Sequence, residues 1–209
     1  MLPKKLIFFM GFLLTILNVS ISVKAVAISN DFPLKNSVKI AQKMNRLRAI
    51  ITLEDLQKHE RFEEIKNLPP GQFRFVSESQ IISGSNRLLS NRFAEARPRF
   101  TQEHWQQLRK VLQQQCSISD EDLSEQVGIQ IKTLESNELP LPQNIGDLSF
   151  GKTRRIEING IRPLLDQVLF IRGNVMATII VLYFEGDVSA ISTVDIARKL
   201  DTRIQQNLQ

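Results

Sequence analysis

The side chains suited to chemistry are few in this 209-residue chain: one cysteine, Cys116, and two histidines, His59 and His104. A structural zinc site needs about four Cys, His or acidic ligands at close, fixed spacings, and no spacing here resembles one. His104 stands on a predicted helix and Cys116 follows the end of that pattern, twelve residues further on. A Cys–His nucleophile would need spatial contact that a sequence does not show, and is not the expected reading. The histidines are read as surface residues and Cys116 as a buried small hydrophobe, with a free thiol as the other reading. Neither a Gly-x-Ser-x-Gly elbow nor a His-Glu-x-x-His pair occurs. Gly146-Asp147-Leu148-Ser149-Phe150-Gly151-Lys152-Thr153 formally fits the phosphate-cradling loop of nucleotide-binding proteins. That loop must leave a buried strand and open a helix, so that backbone N–H groups and the helix dipole meet the phosphates. Here the segment follows the stiff connector Leu139-Pro140-Leu141-Pro142 and feeds a predicted hairpin. No nucleotide, metal or other cofactor is expected.

The carboxylates Glu63-Glu64 and Asp120-Glu121-Asp122 have a sufficient structural explanation in the second case. That triplet opens a predicted helix, where acids complement the positive end of the dipole. The remaining candidate is basic: Arg87, Arg92, Arg97 and Arg99 against one acid, Glu95. Such a run is either a solvated face with ion pairs, which is the default, or a contact surface. A contact surface would suit anionic lipid headgroups, polyanionic envelope polymers or an acidic partner protein.

The elements that must position these residues are unevenly legible. Val38, Ala41, Met44, Leu47 and Ile51 recur at helical spacing. Thr52 with Asp55 predicts a capping box opening a second short helix through Leu53, Leu56, Phe62 and Ile65, stopped by Pro69-Pro70-Gly71. Residues 72–77 alternate like a strand, and Ser83-Gly84-Ser85-Asn86 predicts a turn. Thr101 caps a helix with an apolar face of Trp105, Leu108 and Leu112, so Trp105 is read as core rather than as a binding aromatic. Ser119 with Asp122 opens another helix, ending at Gly128, and residues 129–134 alternate as a strand. Asn159-Gly160 predicts a two-residue type I′ hairpin between strands 152–158 and 161–171, because both positions tolerate positive φ. Arg172-Gly173-Asn174 turns the chain into residues 175–184, apolar at nearly every position and so read as a strand buried on both faces. Ser192 with Asp195 caps a last helix with an inner face of Val194, Ala197, Leu200 and Ile204. Arg198, Lys199, Asp201 and Arg203 fall mainly on its outer face.

Residues 1–27 read as a cleavable signal peptide: Lys4 and Lys5, an apolar run over 6–17, then Ala25-Val26-Ala27 with small residues at the −3 and −1 positions. Cleavage would leave Ile28 or Val26 as the first residue. Retention would make the segment a membrane anchor, although the run is shorter than the roughly 20 residues of a spanning helix. No cysteine near the cut offers a lipidation site. Without the signal, 24 Lys+Arg face 22 Asp+Glu, a net charge of +2. That is an ordinary soluble surface, and with export it argues against a nucleic-acid partner. The remaining 182 residues suit one domain able to bury roughly 70% of its unfolded surface without disulfides.

Ile145-Gly146-Asp147, Phe170-Ile171-Arg172-Gly173-Asn174-Val175 and Ala197-Arg198-Lys199-Leu200-Asp201-Thr202-Arg203-Ile204 give the C-terminal third a distinctive pattern. It resembles the end of a group of uncharacterised exported bacterial proteins common in cyanobacteria. Leu53-Glu54-Asp55-Leu56 and Leu68-Pro69-Pro70-Gly71-Gln72-Phe73 echo the same group, here separated by residues 57–67. The resemblance implies export and an α+β fold, and carries no catalytic residues. The sheet-plus-helix pattern is also similar to the PsbP-type extrinsic proteins of photosystem II and the LpqN-like lipoproteins, a likeness of fold alone.

The expected architecture is therefore a flexible leader over 28–37 and one α+β domain over 38–209. The segment 38–68 is helical, and 145–209 is a three-stranded antiparallel meander plus helix, with helices on both faces of the sheet. The expected function is non-catalytic binding in the cell envelope, periplasm, thylakoid lumen or outside the cell. The alternative is an extracytoplasmic enzyme of unrecognised type.

Overall fold

A computed structural model describes residues 49–56, 61–117, 119–127, 130–186 and 191–208. The expected signal peptide, the leader and the helix expected from Val38 to Ile51 up to residue 48 lie outside these residues, as do His59 and Gly128, and the described end of that helix, Ala49 to Ile51, is not helical. Five α-helices and seven strands are described. In chain order they are α1 (Leu53–Leu56), β1 (Glu63–Glu64), β2 (Gln72–Val76), β3 (Gln80–Leu88) and α2 (Asn91–Ala96). A 3₁₀ turn (Arg97–Arg99) leads to α3 (Gln102–Gln115), α4 (Asp120–Val127), β4 (Ile131–Glu138), β5 (Leu148–Ile158), β6 (Leu164–Arg172), β7 (Val175–Tyr183) and α5 (Thr193–Leu208). The strands form one sheet in the order β1-β2-β3-β7-β6-β5-β4, and every pairing is antiparallel.

The C-terminal elements follow from local rules. Asn159 and Gly160 take φ of 50° and 80°, the positive values the hairpin requires. The return strand begins at Leu164, after a single bridge between Ile158 and Ile161. Its start falls just beyond Pro163, which has no N–H to give the ladder. The β7 strand occupies the centre of the sheet. Val175, Ala177, Ile179 and Val181 are wholly buried, whereas Thr178 and Ile180 on the other face are only partly covered. Tyr183 on the first face is part-buried, and Met176 and Leu182 on the second are buried, so both faces are largely covered and neither completely.

Along β6 the side chains alternate between two clusters. Val168 and Phe170 pack with Ile196, Ala197, Leu200 and Ile204 of α5. Leu169 and Ile171 pack with Leu112 of α3 and with Cys116. Fully burying one such aliphatic side chain contributes about 1.5–3 kcal/mol.

Three expectations are corrected. Ser83-Gly84-Ser85-Asn86 is the middle of β3, not a turn. The Phe73 ring lies across Gly84, and Asn86 is buried with its amide donating to the Ala49 carbonyl. The helix after Thr52 is described over Leu53–Leu56 and does not run on through Phe62 and Ile65, because Glu63 and Glu64 pair with β2 as an edge strand. Asp201 is not on the outer face of α5 but buried at 4% exposure. Arg172 Nε and Nη2 donate to its two oxygens at 2.7 and 2.6 Å. Two of its predicted outer neighbours also turn inward. Arg203 pairs with Asp55 at 2.9 Å and Lys199 donates to the Asp55 carbonyl, fastening α5 to α1. Burial raises the Asp55 carboxyl, but the bonds from Arg203 and Thr52 outweigh it and hold it below its ordinary range.

Candidate functional site

The arginine run occupies the end of β3, α2 and the 3₁₀ turn. Ser90 caps α2 by accepting from the Phe93 N–H at 3.2 Å, and Pro98 sits within the turn, where its fixed φ suits a helix start. Thr101 caps α3 as expected, but the residue completing the capping box is His104. Its N–H donates to Thr101 Oγ1, and its Nδ1 accepts from the Thr101 N–H at 3.2 Å. The imidazole also stacks on Phe100 at 5.5 Å. His104 is therefore occupied in building the helix start. The helix rises about 1.5 Å per residue, so Cys116 lies roughly 18 Å further along.

Cys116 is wholly buried against Leu112, Leu148, Leu169, Ile171 and Met176. Burial pushes its thiol up to about 12 despite the nearby Arg154 and Lys152. Those two cations serve the C-terminus of α3 instead. Arg154 donates to the Cys116 carbonyl, and Lys152 reaches Ser117 Oγ at 3.3 Å. Cations there complement the negative end of the helix dipole. The Cys116 thiol is expected to resist a thiol-specific reagent in the folded protein and to react fully in denaturant. Rapid stoichiometric labelling at native pH would contradict that burial.

The formal phosphate loop at 146–153 is divided between a turn at Gly146 and the first half of β5. No helix follows it. Gly146 is there for another reason: its φ is +67°, and an added Cβ would stand 2.8 Å from the Ile171 carbonyl oxygen.

The four predicted arginines share a region but not a role. Arg97 Nη2 pairs with Asp147 at 2.9 Å, with side-chain exposures of 35% and 18%. Asp147 also accepts from Arg172 Nη1 at 3.3 Å and from the Gly173 N–H at 2.7 Å. Arg97 is thus one end of a chain of charges running Arg97, Asp147, Arg172, Asp201, and belongs to the scaffold. Arg172 is held above its ordinary value, chiefly by its bonds to Asp201. Arg87 is exposed on β3 and its guanidinium lies 4.0 Å from the Met176 sulfur. Arg92 and Arg99 are exposed and form no ion pair with a described residue.

A fifth arginine, Arg109 on α3, was not read from the sequence as part of this surface. It is exposed and lines an open cleft of about 300 Å³ with Glu138, Gln143, Asp147, Ser149 and Phe150. The available signal was its spacing, four residues after Trp105 and so on a neighbouring part of the helix face. Phe93, Phe100, His104 and Trp105 form a contiguous aromatic group between these arginines, with neighbouring ring centroids 5.4 to 5.5 Å apart. Trp105 is only part-buried, packed at the margin of the Leu112 cluster rather than within it.

The lining of the cleft holds Ser149 but neither histidine nor lysine to activate it. Among the described residues no group of three His, Cys, Asp or Glu side chains is placed to hold a metal, and no helix is long and apolar enough to cross a membrane. A second polar cluster surrounds Asp166, which is 5% exposed. Thr153 and Thr193 hydroxyls donate to it at 2.7 Å and the Tyr183 phenol at 3.4 Å, beside the start of α5. Burial and the adjacent carboxylate push the phenol up to about 12, so this cluster suits anchoring rather than proton transfer. No protein-family model matches the chain, and a search of curated proteins finds no match.

Proposed function

We propose that this is a non-catalytic, exported binding domain of the cell envelope, periplasm or thylakoid lumen. In this reading the ridge formed by α2, the 3₁₀ turn and α3 engages an anionic partner. The supporting observation is the difference among the arginines: Arg97 is spent on Asp147, while Arg92, Arg99 and Arg109 are exposed without an ion pair among the described residues. Exposed cations without internal partners are available to an outside anion. The scaffold reading that goes with it is a β5-β6-β7 meander covered by α5 on one face and α3 on the other, supported by the alternating clusters along β6. The resemblance to exported cyanobacterial proteins in residues 145–204, and the signal-like residues 1–27, support export. The open, mixed-charge cleft does not favour the enzyme reading, because an active-site pocket usually encloses its ligand.

The test is retention on immobilised heparin, a soluble polyanion, as salt is raised. The triple variant Arg92→Gln, Arg99→Gln, Arg109→Gln is expected to elute at clearly lower salt with unchanged thermal stability, because each lost contact removes released counterions. Equal retention of the two proteins would refute the basic-surface reading.

A further inference from the structure

We propose that the anionic partner of this ridge is a lipid surface, met by α2, the 3₁₀ turn and α3 as far as Lys110. This deepens the reading above and rests on it. Two observations select a bilayer over a soluble polyanion. The first is charge: residues 91–110 carry Arg92, Arg97, Arg99, Arg109 and Lys110 against Glu95 and Glu103, and only Arg97 is paired inside the fold. The second is the aromatic group interleaved with those cations. Phe93, Phe100 and Trp105 are each partly exposed and lie next to Arg92, Arg99 and Arg109 in sequence or on one helix face. A sulfate or phosphate polymer gains from the cations but leaves those rings in water. At a bilayer interface both are used. Aromatic rings settle at headgroup level, and arginine stems lie along the apolar boundary while their guanidinium groups reach phosphate. The binding is peripheral: α3 has fourteen residues, alternates apolar with glutamine-rich positions and buries only Leu112 completely.

The chain contains a single tryptophan, Trp105, placed in the proposed contact. It reports on the site without a label. The apolar residues 6–17 of the full chain can bring it to any vesicle, so the measurement is the emission of Trp105 and not co-sedimentation. On phosphatidylcholine vesicles containing phosphatidylglycerol, Trp105 emission is expected to shift to the blue and to be quenched by lipids brominated on their acyl chains. On phosphatidylcholine alone, and with inorganic phosphate or heparin in solution, it is expected not to move. Each arginine near the surface contributes about fivefold, so the triple Gln variant should need roughly a hundredfold more anionic lipid for the same shift. Unchanged emission on phosphatidylglycerol vesicles, an equal shift on neutral ones, or an equal response from the triple variant would overturn the lipid assignment. If the emission stays silent while heparin still retains the protein through the same arginines, the basic surface stands and its partner is a soluble polyanion or acidic protein. If heparin retention also ignores the arginines, both readings fall.

Discussion

Asp201→Ala is expected to destabilise the protein by about 3 kcal/mol, the lower end of the range for breaking a buried ion pair. The carboxylate is almost fully buried on α5 and receives a two-pronged contact from Arg172 at 2.6 and 2.7 Å. Removing it leaves a guanidinium with 19% side-chain exposure, still held by Asp147 and the Asn144 carbonyl. Those remaining partners are why the loss falls at the lower end. For a chain of this size the melting temperature should drop by roughly 10 °C. Urea unfolding followed by circular dichroism checks the value, and a loss below about 1 kcal/mol would mean that the pair does not fasten α5 to β6. Replacing both partners with apolar residues, Arg172→Met with Asp201→Leu, is expected to recover most of the stability, because no charge is then stranded. A double variant as unstable as the single one would place the requirement on the charge chain through Asp147 rather than on the pair.

Gly84→Ala is expected to cost about 3 kcal/mol, the upper end for overpacking. The new Cβ would stand 2.3 Å from Phe73 Cζ and 2.7 Å from the main-chain oxygen of Thr178. No carbon is tolerated at those separations, so the ring or the strand must move. Phe73 is 4% exposed, so the ring has little free space. Adding Phe73→Leu to Gly84→Ala distinguishes the two obstacles in the same unfolding assay. A Gly84→Ala cost clearly smaller in the Phe73→Leu background than in the native one identifies the ring. No recovery identifies the β3–β7 backbone spacing, which no side-chain change can widen.

Both predictions concern residues that a linear reading places wrongly, and for related reasons. Ser83-Gly84-Ser85-Asn86 has the composition of a turn, because its small and polar residues are also what a buried strand needs where an aromatic ring crosses it. Asp201 appears on the polar side of a helical projection, and only the fold brings Arg172 to it. The same holds for Arg97, which reads as one member of a basic run until the turn at Gly146 delivers Asp147. Where local rules suffice, legibility was high. Asn159-Gly160 fixed its hairpin, β5 to β7 showed their alternation or continuous apolarity, and Ser192 with Asp195 announced α5. Four of the five arginines discussed were visible as a cluster, but which of them were free was not, because ion pairing is a long-range property. Arg109 stands apart from that cluster in the sequence, on a helix whose linear pattern displays chiefly its apolar face.

The pairing of β3 with β7 has a consequence for how the chain reaches this state. Gln80 aligns with Tyr183 and Leu88 with Val175, so the register joins segments made early and late in synthesis. The β2–β3 hairpin can form at once, whereas the inner edge of β3 must wait for β7, the last of the described strands, to emerge. Sheets closed by such distant partners fold slowly, since a long loop must be drawn in before the contacts repay it. In that interval β3 presents an open ladder carrying Ile81 and Ile82, a template for mispairing. The exposure of β3 to mispairing therefore lasts until β7 is available to cover its inner edge.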